Sequence, residues 1–241
     1  MGTLYIVTTP IGNRNDITIR AIKTLFSSDF IYCEDTRKTG NLLQFYKTNF
    51  ADIVPMTKKP LLISYFEGNE KRRIPKIINK LRENKKIALV SNAGTPLISD
   101  PGFKLVRECL KENIKVVSIP GPCAAITALT SSGLPTDKFL FLGYLPKKTG
   151  KKEKLFQSIS RLIEKNFKCT IIFYASPFRL VKTLKIILQV FGDIEIVTAR
   201  ELTKIHEEIR KEKISHLLDL YSRTKLKGEF TFLFHPHKNI F

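Results

Sequence analysis

The chain has 241 residues, enough for one large or two modest domains with cores of their own, and 43% hydrophobic with 26% charged residues is the balance of a soluble globular protein. No uncharged run approaches the roughly 18 residues of a membrane helix, and Met1 leads almost directly into an apolar run, so neither an anchor nor a signal peptide is expected and the location is expected to be cytoplasmic. The net charge of +19 is spread over both halves, 20 Lys and Arg against 11 Asp and Glu in residues 1–118 and 21 against 11 in residues 119–241, which favours a polyanionic partner such as RNA or DNA.

Residues 4–9 form a predicted strand that ends in the small-residue loop Thr9-Pro10-Ile11-Gly12-Asn13, followed by a helix over 16–26. The apolar run 30–33 leads into Glu34-Asp35-Thr36-Arg37-Lys38, four charges at a strand end, more than folding needs. A strand over 61–66 and a helix over 69–84 precede the central stretch. There, Ile87 to Val90 reads as a buried strand, Ser91 to Pro96 are almost all small or turn-forming, and Asp100-Pro101 has the form of an N-cap and first helical residue. In an open parallel sheet such a loop lies at the carboxyl end of its strand, where ligands bind. It spends roughly ten residues where a plain connection needs about 2 to 6. A helix over 100–112 and a strand over 115–119 complete five alternating units, the pattern of a parallel, helix-covered sheet.

Pro120-Gly121-Pro122 is the strongest punctuation in the chain. After it come a small-residue helix over 123–132, a strand over 139–145, a basic loop over 147–154, a helix over 155–166, a strand over 170–174, a helix over 178–191, a strand over 195–199, a helix over 214–223 and a last strand over 229–234. The fold class is α/β, with two α/β domains, 1–119 and 120–241. The cleft between two such domains is the expected place for a small-molecule site.

No Gly-x-Gly-x-x-Gly, Gly-x-x-x-x-Gly-Lys-Ser/Thr or Gly-x-Ser-x-Gly occurs, so dinucleotide binding, P-loop hydrolysis and serine-hydrolase chemistry lose their sequence support. The cysteines, Cys33, Cys109, Cys123 and Cys169, are widely spaced and read as buried small hydrophobes. His235 and His237 straddle a proline without a third ligand, so no metal site is expected.

Four ordered stretches carry a resemblance: residues 4–13 (LYIVTTPIGN), 34–37 (EDTR), 88–102 (ALVSNAGTPLISDPG) and 120–129 (PGPCAAITAL), with support from 199–204 (ARELTK) and 227–229 (KGE). The chain resembles, nearly end to end, the tetrapyrrole methylase-like group, in its branch that modifies small-subunit ribosomal RNA. The resemblance implies a tetrapyrrole methylase-like bilobal fold with S-adenosylmethionine in the interdomain cleft, a homodimer, and methylation of the ribose 2′-hydroxyl of a decoding-centre cytidine in 16S ribosomal RNA. It implies cofactor contacts from Pro10, Gly94, Thr95, Pro96, Ile98, Cys123, Ala124, Ala199 and Glu229. Cys123 and Ala124 also have a reading as helix packing, and Glu229 one as an edge-strand residue.

Three departures from the group's pattern stand out. Asn92 takes the place of the usual Asp, the segment 173–178 (FYASPF) lacks the usual Glu and His, and the chain stops soon after its last strand where many relatives carry an extra small domain. The first weakens a catalytic role for position 92.

A sulfonium methyl is already activated, so the protein's tasks are positioning the hydroxyl and accepting its proton. Glu34 and Asp35 are the candidate carboxylates, and Arg37 can hold a phosphate bidentately; the competing reading of the three is a salt-bridge cluster at a helix start. Lys71-Arg72-Arg73 and residues 147–154 form the candidate basic surface for the small ribosomal subunit RNA. Two alternatives stay open: a tetrapyrrole methyltransferase, and a non-catalytic RNA-binding or assembly protein.

Overall fold

The computed structural model describes residues 1–54, 59–223 and 226–236. The chain divides into two compact units, Met1–Cys123 and Ala124–Phe241, so the Pro-Gly-Pro turn belongs to the first.

In the first unit β1 (Thr3–Val7), α1 (Ile19–Ser27), β2 (Phe30–Cys33), α2 (Thr36–Asn49), β3 (Leu61–Ser64), α3 (Glu70–Arg82), β4 (Lys86–Val90), α4 (Phe103–Lys111) and β5 (Lys115–Ile119) follow one another. The strands make one parallel sheet in the order β3-β2-β4-β1-β5. Successive strand residues point to opposite faces, and helices cover both, which is why β4 reads as an unbroken apolar run. Ile87 and Leu89 join a core with Leu81, Leu105 and Cys109 of α3 and α4. Ala88 and Val90 join one with Ala21, Leu25 and Leu43 of α1 and α2.

Two helix starts differ from the sequence expectation. Asp100 does not cap a helix: α4 starts at Phe103 with Gly102 at its N-cap. The intervening backbone stays coiled, with Leu97 at φ 72°, Ser99 at φ 66° and Gly102 at φ 134°. The Gly102 N–H donates to Glu70 Oε1 (3.1 Å), so the carboxylate at this helix start comes from α3. Likewise α1 starts after Thr18, whose hydroxyl accepts from the Ala21 N–H at 3.1 Å, and not at Asp16.

The second unit contains α5 (Ala124–Thr130), β6 (Phe139–Tyr144), α6 (Thr149–Glu164), β7 (Thr170–Ala175), a 3₁₀ turn (Pro177–Arg179), α7 (Leu180–Phe191), β8 (Glu195–Arg200), β9 (Glu208–Lys213), α8 (Ile214–Arg223) and β10 (Phe230–Phe234). Its sheet has the order β6-β7-β10-β8-β9 and is mixed: β6 and β7 run parallel, while β10 is antiparallel to both of its neighbours and β9 is antiparallel to β8. One face packs on α6, α7 and α8 through a phenylalanine-rich core, in which Phe173 stacks on its cross-strand partner Phe232 at 5.4 Å and 14°. α5 lies against β7 and β10.

The basic loop expected over 147–154 is mostly helix. Lys152, Phe156, Ile159 and Ile163 recur at spacings of 4, 3 and 4, so the stem of Lys152 extends the apolar stripe of α6, and the residue is buried. β9 was not legible at all. Its sequence EIRKEK offers one apolar side chain, as suits an edge strand protected by charge.

Cys33, Cys109 and Cys169 are buried and Cys123 is half-buried. His237 lies outside the described residues; among those described, no group of three or more His, Cys, Asp or Glu could hold a metal ion, and no helix is long and apolar enough to cross a membrane.

Candidate active site

β1 and β4 are neighbours in the first sheet, yet the helices that follow them pack on opposite faces, α1 in one core and α4 in the other. The carboxyl ends of these two strands are therefore a topological switch point, the place where doubly wound sheets take their ligands. The two small-residue loops seen in the sequence both leave from here. A short antiparallel bridge joins them, the Thr9 and Gly94 N–H groups each donating to the other's carbonyl at 3.0 Å. Thr9 is buried, and its hydroxyl lies 3.4 Å from the Ser91 carbonyl oxygen; the buried Ser91 hydroxyl turns back onto Ala93 O (3.1 Å) and Gly94 O (3.3 Å). The Thr95 hydroxyl donates to Pro122 O at 3.1 Å, which ties the central loop to the Pro-Gly-Pro turn after β5.

Gly94 is the pivot of this arrangement. Its φ of +75° is costly for any residue with a Cβ, and a Cβ built there meets Ile11 Cγ2 at 3.1 Å and Pro122 O at 3.6 Å. Pro10, Gly94 and Pro96 are buried, Thr95 and Cys123 half-buried, and Ile98 is 40% exposed. The loops thus offer mainly peptide groups and small or apolar side chains, a lining that suits a nucleoside and an amino-acid tail held by backbone contacts. The residues present fit S-adenosylmethionine.

β2 borders β4, so its end brings charge to the same rim. Glu34 is half-buried, and its Oε2 accepts from Asn92 Nδ2 at 2.6 Å. Burial raises the Glu34 carboxyl above its ordinary range, with Lys38 pulling weakly the other way. Asp35 behaves differently. It is the N-cap of α2, its Oδ1 accepting from the Arg37 N–H at 2.9 Å and the Lys38 N–H at 3.4 Å, and the Arg37 N–H above all holds its carboxyl low. Arg37 projects into solvent with 91% of its side chain exposed and Nε 3.6 Å from Asp35. Asn92, discounted in the sequence, is the residue that holds Glu34.

Sequence reading also missed Glu70, which is 3% exposed. It accepts from the Tyr65 hydroxyl (2.8 Å), the Gly102 N–H (3.1 Å) and Lys104 Nζ (2.9 Å), closing the far end of the central loop. Burial alone would raise its carboxyl, but Lys104, Tyr65 and Gly102 together hold it low. The only signal in the sequence was an acidic residue opening an otherwise basic helix.

In the second unit β6, β7 and β8 end, and β10 begins, at one edge of the sheet. Ala199 lies there within β8, 1% exposed and in register with Thr231. The two stretches 199–204 and 227–229 meet at this edge: the Glu229 N–H donates to Glu201 Oε1 at 2.9 Å, and Lys204 Nζ bridges Glu201 Oε1 (3.0 Å) and Glu229 Oε2 (2.9 Å). Gly228, at φ +101°, turns so close that a Cβ would sit 2.8 Å from Glu201. Glu229 keeps 71% of its side chain exposed, and Ala124 is half-buried at the start of α5.

The family model of the tetrapyrrole (corrin/porphyrin) methylases matches residues 3–218. Similar sequences include the ribosomal RNA small subunit methyltransferase I of Thermotoga maritima, 46% identical over 231 residues, 96% of this chain and 97% of that protein. Its counterpart in Escherichia coli O157:H7 is 44% identical over 98% of this chain and 79% of its own length. Among solved structures, the uroporphyrin-III C-methyl transferase of Thermus thermophilus complexed with S-adenyl homocysteine superposes with a TM-score of 0.64 at 15% identity, over 96% of this chain and 97% of the other.

Proposed function

The chain belongs to the tetrapyrrole (corrin/porphyrin) methylase family and shares 44 to 46% of its residues with ribosomal RNA small subunit methyltransferase I proteins over nearly its whole length; from that premise we propose that it methylates the ribose 2′-hydroxyl of a decoding-centre cytidine in 16S ribosomal RNA. The observation that carries this reading, beside the kinship, is the Thr9–Gly94 bridge between the loops at the carboxyl ends of β1 and β4, with one carboxylate of raised proton affinity at the neighbouring end of β2.

S-adenosylmethionine, when bound, supplies a methyl on a sulfonium that is already activated for displacement. Pro10, Gly94, Thr95, Pro96, Ile98 and Cys123 are the residues of the first unit that would hold it. Glu34 takes the proton of the 2′-hydroxyl as that oxygen gains the methyl, and Asn92 fixes the carboxylate's direction through its amide. Asp35 acts indirectly by starting α2, which presents Arg37 and Lys38 to a backbone phosphate. The high positive charge adds sequence-independent attraction to the ribosomal substrate.

Methyl label from S-adenosylmethionine, offered to small ribosomal subunits, naked 16S RNA and a tetrapyrrole in parallel reactions, tests the reading. Transfer to the ribosomal substrate alone is expected; transfer to the tetrapyrrole would replace it with the small-molecule chemistry. Homodimerisation is a separate part of the proposal, read by sedimentation of the intact protein, where a monomer at micromolar concentration would remove it.

A further inference from the structure

Resting on the reading that the substrate is ribosomal RNA, we infer that the β6/β7 half of the second sheet's edge is an RNA-docking surface that takes backbone phosphates and one unpaired, splayed-out nucleobase.

The charge pattern comes first. Residues 138–152 hold five Lys and no acid, and residues 165–192 hold five Lys and Arg and no acid. The fold brings parts of both to one place, because β6 and β7 run parallel, so α6 and the 3₁₀ turn start at the same edge. There Lys152, 4% exposed, donates from Nζ to Thr183 Oγ1 at 2.8 Å, and that hydroxyl donates to Arg179 O at 2.8 Å. Burial first, then Arg179 and Lys182, depress the Lys152 ammonium. Among the described residues none of these three cations is ion-paired. A buried, hydrogen-bonded ammonium beside two more cations, none of the three ion-paired, is positive charge held in place for an anion from outside.

The second observation is aromatic. Phe178 sits in the 3₁₀ turn, directly before Arg179, and is 92% exposed. Tyr144 at the end of β6 is 57% exposed, its ring 5.5 Å from that of Tyr174. A phenyl ring wholly in water next to fixed cations has the composition of a base-stacking platform beside a phosphate contact, the pairing used for single-stranded RNA. Of the acidic groups at this edge, Glu201 and Glu229 are paired with Lys204 and Glu208 with Arg200 and Arg210, all in the β10/β8/β9 part of the sheet, while Glu153 lies near the start of α6.

The test uses exposed or half-exposed residues, so folding is not at stake. Binding of a fluorescent unstructured RNA oligonucleotide and of 16S RNA is measured at several salt concentrations for the intact protein, the double variant Arg179→Ala/Lys182→Ala, and Phe178→Ala, with S-adenosylmethionine affinity as control. The double variant should flatten the logarithmic salt dependence by about 1.4, two phosphate contacts at about 0.7 each for a single strand. Phe178→Ala should weaken binding about five- to hundredfold with the salt dependence unchanged. Cofactor affinity should stay as it was in both. Unchanged RNA affinity in the two variants overturns the surface. If the protein transfers no methyl to RNA yet shows these binding losses, the surface stands and the proposed reaction falls.

Discussion

Asn92 and Glu34 meet across the ends of adjacent strands, the amide of one donating to the carboxylate of the other at 2.6 Å. The contact fixes the direction of the carboxylate proposed to accept the proton, and burial sets its proton affinity. Since burial raises Glu34, the ionised form needed for catalysis is gained as pH rises through a value above the ordinary glutamate range of about 4.3. Single-turnover methylation should therefore show an acid limb governed by Glu34. Glu34→Gln should remove that limb and lower the rate about 10² to 10⁴-fold. The sign for stability is opposite: a raised carboxyl favours the folded state when protonated and loses that contribution as pH rises, so Glu34→Gln should fold at least as stably at neutral pH. Asn92→Asp, which sets a second carboxylate against Glu34, should move the limb to higher pH.

Asp35 is expected to behave as a cap. Asp35→Ala should lower the melting temperature while turnover per folded molecule at saturating RNA is retained, whereas Asp35→Asn keeps an acceptor for the Arg37 N–H and should melt close to the parent. Because the Asp35 carboxyl is held low, its contribution is present above the ordinary aspartate range and fades as pH falls through the lowered value. Melting curves of the three proteins between acid and neutral pH check both statements.

Gly94→Val should abolish cofactor binding without unfolding the protein. A β-branched residue at φ +75° is strained, and its first carbon meets Ile11 and Pro122. Calorimetric titration with S-adenosylmethionine reads this directly; undiminished affinity in a folded variant would show that the bridge with Thr9 does not shape the cofactor site.

Removing Glu70 should loosen the central loop from its far end. Glu70→Ala leaves the Tyr65 hydroxyl and the Gly102 N–H without their acceptor, at a cost of about 1 to 3 kcal/mol for each buried group left unsatisfied. Denaturant unfolding gives the loss, and cofactor affinity should fall with it. As the carboxyl is held low by its partners, the stabilisation is complete above the ordinary glutamate range and is lost on acidification through the lowered value.

The first sheet was readable because its inner strands β1, β2 and β4 are largely buried and all five announce themselves as apolar runs, and because the loops after β1 and β4 contain the small residues that a close backbone approach requires. What stayed hidden depends on contacts remote in sequence. Nothing near Gly102 says that its N–H is met by Glu70, 32 residues upstream, so the start of α4 was placed at Asp100. Nothing near Asn92 points to Glu34, 58 residues away. Lys152 counted as loop charge because its stem, the part that packs, is invisible to a charge count. β9 carries no apolar alternation because it is an edge held through backbone pairing with β8.

The most direct test is nucleoside mass spectrometry of 16S RNA from small subunits incubated with S-adenosylmethionine and either the parent protein or Glu34→Gln. The account predicts one new 2′-O-methylcytidine per subunit with the parent and strong loss of it with the variant. A methyl found on a base, or a ribose methyl formed equally well by Glu34→Gln, would contradict it.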